Sequence, residues 1–485
     1  MKCLRAEHVL GFRDGGHAFL RDGQVVVDGT RIVSVGQRAD GDFTEVIELG
    51  DVLLMPGLID LDALTDIDHA LIDSFQPASL GLGLQWSREY AESRRSAVFS
   101  ADERAFIREF GFVQLLLHGV TTAMPIASEV HSDWAETYAD AVAMAQAAQR
   151  LGLRVYLGPA YRAGVNVVDA DGTRSIYWQP ELGEAGLADA TRFLDWADQQ
   201  DSDLIHGVLL PCRIETLTEP LMRATAKLAA ERNVVVRLHA LQGLLERDFV
   251  LAEHGMPPLA LLAETGLLGP NLLIPHGVYL DSNPLVDAST DDDLATIVDS
   301  GAAVIHCPLT SARYGSALDS FGRYQAAGVR LCLGTDSFPP DLIRGIDTGV
   351  NIAKVVGHRL DAATYADYLT AATIGGANAL GRPDLGRIEP GATADLVAFR
   401  LNDPRTGVHD DPLRTLCMNA SARETDFVMV AGRIVVRDST IAGIDLPAMM
   451  TRAQSLFTRM REAYSGRDYQ SRPTAELFPP SFPDL

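Results

Sequence analysis

His306-Cys307-Pro308 and, one unit later, Leu333-Gly334-Thr335-Asp336-Ser337 decide how this chain folds. A short apolar run ends at the histidine, and a helix-sized segment follows. A second β-like run, Val329-Arg330-Leu331-Cys332-Leu333, then ends at an aspartate. Successive βα units with polar chemistry at their strand ends predict an α/β fold, a (β/α)8 TIM barrel with its site at the C-terminal face.

The same alternation runs backwards from there. Candidate strands are Thr121–Met124, Arg154–Gly158, Gly207–Leu210, Val234–His239, Leu272–Pro275, Ala303–His306 and Arg330–Gly334. Helical stretches such as Asp102–Leu117, Trp134–Leu151 and Glu219–Arg232 separate them, as a parallel sheet requires. Short strands punctuated by Gly and Asp precede the barrel: Gln24–Gly29, Arg31–Gly36 and Glu45–Leu49. Strands return at Asp395–Phe399, Thr425–Val430 and Arg433–Val436. A small β-sandwich built from both termini is therefore expected. Its parts are 1–54 and 391–446, with the barrel at 55–390 and a helix (about Ala448–Tyr464) plus a Pro-rich tail at 447–485.

At 485 residues the chain can bury a large core. Apolar residues are 47% and charged residues 22%, ordinary for a globular protein. A formal charge of −24 argues against nucleic acid and anionic membranes as partners. The five cysteines form no CxxC pair, which suits a reducing compartment. With no visible signal peptide or membrane span, the expected location is cytoplasmic.

Met55-Pro56-Gly57-Leu58-Ile59-Asp60, His118-Gly119-Val120-Thr121-Thr122, Pro275-His276-Gly277-Val278, His306-Cys307-Pro308 and Leu333-Gly334-Thr335-Asp336 follow in order along the barrel, and Gly386–Val397 makes the return into the sandwich. Together these motifs resemble those of the amidohydrolase superfamily, in the branch of cytosine-deaminase-like and triazine-hydrolase-like enzymes. The resemblance implies hydrolysis of a non-peptide C–N bond in a small polar, heterocyclic molecule, and a homo-oligomeric assembly. It also implies one divalent metal that lowers the pKa of a water. An HxH pair after strand 1, a strand-5 His and a strand-8 Asp would hold that metal, a strand-6 His would orient the water, and a strand-5 carboxylate would shuttle the proton.

Carried over by residue, Asp336 matches the strand-8 Asp, His239 the strand-5 ligand and His276 the strand-6 His. Two positions depart. The HxH pair falls on Asp62 and Leu64, and the shuttle Glu falls on Gln242, an amide that cannot carry a proton. Cys212 stands where the family has a strand-4 His. A rebuilt zinc, iron or manganese site would use Asp62, His239, His276 and Asp336, with Asp66, Asp68 or His69 as possible substitutes from the loop. Without metal, Cys212 beside Arg213 could act as a nucleophile. Cys212, Arg213, Tyr161, Arg162 and His306 are candidate substrate contacts, and Gln76–Glu89 and Val165–Tyr177 are candidate covers of the mouth. Three readings stay open: a metal-dependent hydrolase, a metal-free lyase or isomerase, and a ligand-binding barrel without turnover.

Overall fold

A computed structural model describes residues 1–67, 86–126, 133–288, 290–318 and 320–482. Asp68, His69 and residues 76–85 of the first candidate cover lie outside the described residues.

Eight parallel barrel strands follow in chain order: Leu58–Leu64, Val120–Ile126, Arg154–Leu157, Ile205–Gly207, Val236–Arg237, Leu272–Pro275, Ala303–His306 and Arg330–Leu333. The fourth and fifth are joined by a Leu209–Val236 bridge. The seam between eighth and first is closed where Asp336 N–H donates to the Asp62 carbonyl at 2.8 Å. That approach requires Gly334, because a Cβ there would fall 2.5 Å from Asp62 Cβ.

The strands are short and almost continuously apolar because both faces are covered. Inward side chains, among them Ile59, Leu61, Met124, Leu273, Ile305 and Cys332, fill the barrel centre. Outward ones, such as Val155, Leu238, Ile274 and Val304, meet the helices. Each large aliphatic side chain buried this way contributes about 1.5–3 kcal/mol. The helices begin where the sequence caps them. Ser100 and Glu103 form a capping box before Ala101–Leu117, and Thr218 caps Glu219–Arg232.

The terminal domain is one seven-stranded sheet that curls into the expected sandwich. Four strands come from the N-terminus (Lys2–Arg13, Gly16–Asp28, Arg31–Gly36, Glu45–Pro56) and three from the C-terminal part (Leu396–Arg400, Thr425–Val430, Arg433–Arg437). Leu4, Val25, Ile47, Leu54, Leu396 and Phe427 form its core.

Two regions gain detail over the sequence reading. The candidate cover Val165–Tyr177 is a hairpin, in which Gly164–Val168 and Arg174–Trp178 pair antiparallel. The Pro-rich tail packs on its own chain. Leu477 and Phe478 join Met460 of the helix Leu446–Ala463, and Tyr464 that caps it, against Phe99, Ile107, Phe110 and Ile67.

Candidate functional site

Asp62, His239 and His276 converge where the first, fifth and sixth strands end. Their ligating atoms lie within 4.8 Å of one another and all three residues are buried. The first strand reaches this point through an irregularity: Asp60 pairs with Ala123 and Ala63 with Pro125, so one extra residue is accommodated around Asp62. Such bulges re-aim side chains beside sites. His239 Nδ1 lies 3.0 Å from the Cys212 carbonyl. A carbonyl can only accept, so Nδ1 carries a hydrogen and Nε2 is the nitrogen turned toward the pocket. That Nε2 stands 3.4 Å from Asp62 Oδ2. Cys212 thus orients His239 through its backbone.

His276 sits at φ +70° and Asp336 at φ +36°, a left-handed backbone costly for non-glycine residues. Strain of this kind persists where the surroundings over-determine it. Here the Asp336 amide is bound to Asp62, and Thr310 Oγ1 donates to the Asp336 carbonyl. Asp336 Oδ2 is 3.7 Å from His276 Nε2. It stands beside the three-donor group rather than within it.

Burial and neighbouring charge set the protonation. Burial alone would raise the Asp62 pKa, but His239 and Arg237 outweigh it and hold the carboxyl at about 2. Asp336 goes the other way, well above the usual range, first by burial and then by the nearby Asp62 charge. Burial lowers His276 to about 3, so its imidazole is neutral. Burial also raises Asp60 to about 6, although its carboxylate accepts from Thr335 Oγ1 at 2.6 Å and Thr335 N–H at 3.0 Å.

The sequence reading missed Arg237. It is two residues before His239, on the inward face of the same strand, and 3% exposed. Its guanidinium donates to the carbonyls of Met124 (2.7 Å) and Pro125 (2.8 Å) and lies 3.4 Å from Asp62 Oδ1. Where the resemblance puts a neutral ligand, this chain has a carboxylate, and Arg237 balances the added negative charge.

Two candidate contacts need correction. Tyr161 does not face the mouth: it is fully buried and its hydroxyl shares a hydrogen bond with Thr225 on the outer helix Glu219–Arg232. His306 points outward too, its ring packed near Phe321 and Tyr368. Side chains alternate along a strand, so the inward residue is the next one. Cys307 places Sγ 3.7 Å from Asp62 Oδ2, and burial followed by the Asp62 charge pushes its thiol pKa up.

The other candidates are placed as follows. Arg162 is buried against Trp134, whose carbonyl it binds. Arg213 Nη1 donates to Gln242 Oε1 at 2.5 Å. Cys212 is half-buried against the barrel centre. Asp66 is fully buried, 3.7 Å from Arg108. Leu64 is buried and offers no donor.

The donor chemistry fits one divalent cation. Three protein ligands with one open position suffice for catalysis. Asp62 Oδ1 and His276 Nε2 are buried and make no hydrogen bond among the described residues, and coordination would satisfy such atoms.

Comparison with known proteins agrees with this architecture. The profile of the Amidohydrolase family matches residues 53–435. The chain belongs to the amidohydrolase family. As an amidohydrolase it is an enzyme, and several of its relatives are deaminases. It is 30% identical over 344 residues to an 8-oxoguanine deaminase of Pseudomonas aeruginosa, covering 70% of this chain and 73% of that one. It is 28% identical over 442 residues to a 5-methylthioadenosine/S-adenosylhomocysteine deaminase of Halobacterium salinarum, covering 89% and 92%. Among solved amidohydrolase structures, a zinc-bound adenosine deaminase of Xanthomonas campestris superposes with TM-score 0.78 at 22% identity, covering 95% and 98%. A triazine hydrolase of Arthrobacter aurescens gives 0.75 at 22%, covering 94% and 99%. At that identity these two establish the barrel and sandwich. Among the described residues, no helix of this amidohydrolase is long and apolar enough to cross a membrane.

Proposed function

We propose that this amidohydrolase deaminates a small nitrogen heterocycle at a single divalent metal held by Asp62, His239 and His276. The observation that carries the reading is the buried convergence of these three residues, with Asp336 3.7 Å from His276. When bound, the metal would supply a water acidic enough to attack near neutral pH. The protein groups do the rest. Asp336 takes the water's proton. Gln242 cannot pass a proton on, so Asp336 also returns it to the leaving nitrogen. Arg213 fixes Gln242 through Oε1, so the amide can serve only as a hydrogen-bond donor through Nε2.

The relatives suggest the substrate panel: oxopurines, 5′-modified adenosines and s-triazines, with ammonia release as the readout. Metal content is measured on the same preparation and on Asp62→Ala. About one zinc, iron or manganese per chain that is lost in Asp62→Ala, together with ammonia release by the wild type, supports the reading. Metal content unchanged in Asp62→Ala, or no metal after growth in supplemented medium, overturns it.

One observation favours a second reading. Arg237 already neutralises Asp62 at 3.4 Å, so the pocket holds a fixed cation of its own. In that case Asp336 and His276 would perform acid–base chemistry of lyase or isomerase type without a metal. The metal measurement separates the two.

A further inference from the structure

The sandwich carries a second set of metal-ligating side chains, assembled from parts of the chain far apart in sequence. His8 lies in the strand Lys2–Arg13 and Asp51 in the strand Glu45–Pro56. His409 lies between the strand Leu396–Arg400 and the helix Pro412–Asn419. Their ligating atoms are within 4.8 Å of one another.

We propose that His8, Asp51 and His409 form a zinc site that ties the N-terminal and C-terminal halves of the sandwich together. The backbone is irregular at this point. The first and fourth sandwich strands run parallel, and Ala6 pairs with Gly50 but His8 with Leu53. The fourth strand therefore carries one extra residue at Gly50–Asp51–Val52. Gly50 takes φ +71°, which glycine adopts without strain. A bulge of this kind turns a side chain out of its regular alternation, and the side chain in question is Asp51.

One nitrogen stands at a zinc-like distance from the carboxylate and the other slightly beyond it. His409 Nε2 is 3.3 Å and His8 Nε2 3.8 Å from the same oxygen, Asp51 Oδ1. Zinc bonds of about 2.0–2.2 Å at tetrahedral angles place ligand atoms about 3.3–3.6 Å apart. The two rings lie with centroids 5.1 Å apart and planes at 81°, and both turn Nε2 to the one carboxylate oxygen. Asp51 Oδ1 is a buried atom that accepts no hydrogen bond among the described residues, which is costly for a carboxylate oxygen. Two imidazoles and one carboxylate are a common donor set for zinc. All three residues are only half-buried, which leaves room for water as a fourth ligand.

The site is tested on the full chain, stripped of metal with a chelator and dialysed against zinc. The wild type is compared with His409→Ala and with Asp51→Asn, which keeps the side-chain shape. Both variants are expected to bind about one zinc per chain fewer than wild type. Both should lose the part of the zinc-induced rise in Tm that belongs to the sandwich, while turnover stays at the wild-type level. Equal zinc stoichiometry in wild type and Asp51→Asn, with an unchanged Tm response, would overturn the proposal. It would leave the three residues as a polar cluster of two imidazoles and a carboxylate.

Discussion

Arg237 Nη1 and His239 Nε2 lie equally far, 3.4 Å, from the two oxygens of Asp62. One strand thus supplies both the permanent cation and the imidazole that flank this carboxylate, and two residues of β spacing set them on the same face.

Removing the cation should therefore be severe. Arg237→Met leaves a buried carboxylate without its counter-charge, at an expected cost of about 3–5 kcal/mol. Asp62→Leu combined with Arg237→Met removes both charges and should recover most of that loss. Urea unfolding of the two variants checks this. Equal destabilisation in both would show that Arg237 acts through packing alone.

Asp336→Asn keeps the size of the side chain and its backbone contacts but cannot take up a proton. Turnover should fall by about 10²–10⁴-fold while the fold persists. The measurement is ammonia release beside circular dichroism. Wild-type turnover in the variant would remove Asp336 from the chemistry.

Gln242→Glu returns a carboxyl group to the position from which the family shuttles protons. Beside Arg213, whose Nη1 is 2.5 Å from the present amide oxygen, the new carboxylate gains a charge-assisted hydrogen bond. An increase in kcat of about tenfold or more is expected, from the low end of general acid–base contributions upward. A decrease would mean that the amide's donor is needed for binding.

The loop behind Gln242 gives a pH dependence. Glu246 accepts from the Leu241 and Gln242 amides at 2.6 and 3.0 Å. Burial, and then repulsion from Glu215, raise its pKa above the usual glutamate value of 4.5. The folded state then holds a proton that the unfolded state has released, so stability falls as pH rises from about 4.5 through the raised value. In Glu246→Gln this part of the slope should vanish, although about 1 kcal/mol is lost at low pH with one amide hydrogen bond. Tm measured across pH 4 to 9 is the check, and a slope unchanged in the variant contradicts the assignment.

How far the sequence could be read follows from strand chemistry. Leu272–Pro275 and Ala303–His306 were legible because apolar runs between helix-sized segments leave few alternatives. Their facing was not, because a strand buried on both sides has no polar–apolar alternation to mark its inner face. That is why His306 and Tyr161 were read as inward and Cys307 was passed over. Arg237 was hidden for the same reason, as a charge inside Val234–His239 whose carbonyl partners Met124 and Pro125 lie 113 and 112 residues away. The strand Lys2–Arg13 went unread because charges interrupt its pattern; its pairing with Gly16–Asp28 defines it. Asp62, His239 and His276 were legible through motif order alone, and their convergence needed the fold.

The barrel's seam gives the site a calendar. The Asp336 amide is tied to the Asp62 carbonyl, and Gly334 lets the eighth strand lie against the first. Asp62 is synthesised 274 residues before Asp336, so a nascent chain carries most of the pocket's parts with no means of using them. Competence arrives only when the ring shuts. In the proposed reaction a chain released before Asp336 lacks the group that takes the water's proton, so turnover would report that the last strand has found the first.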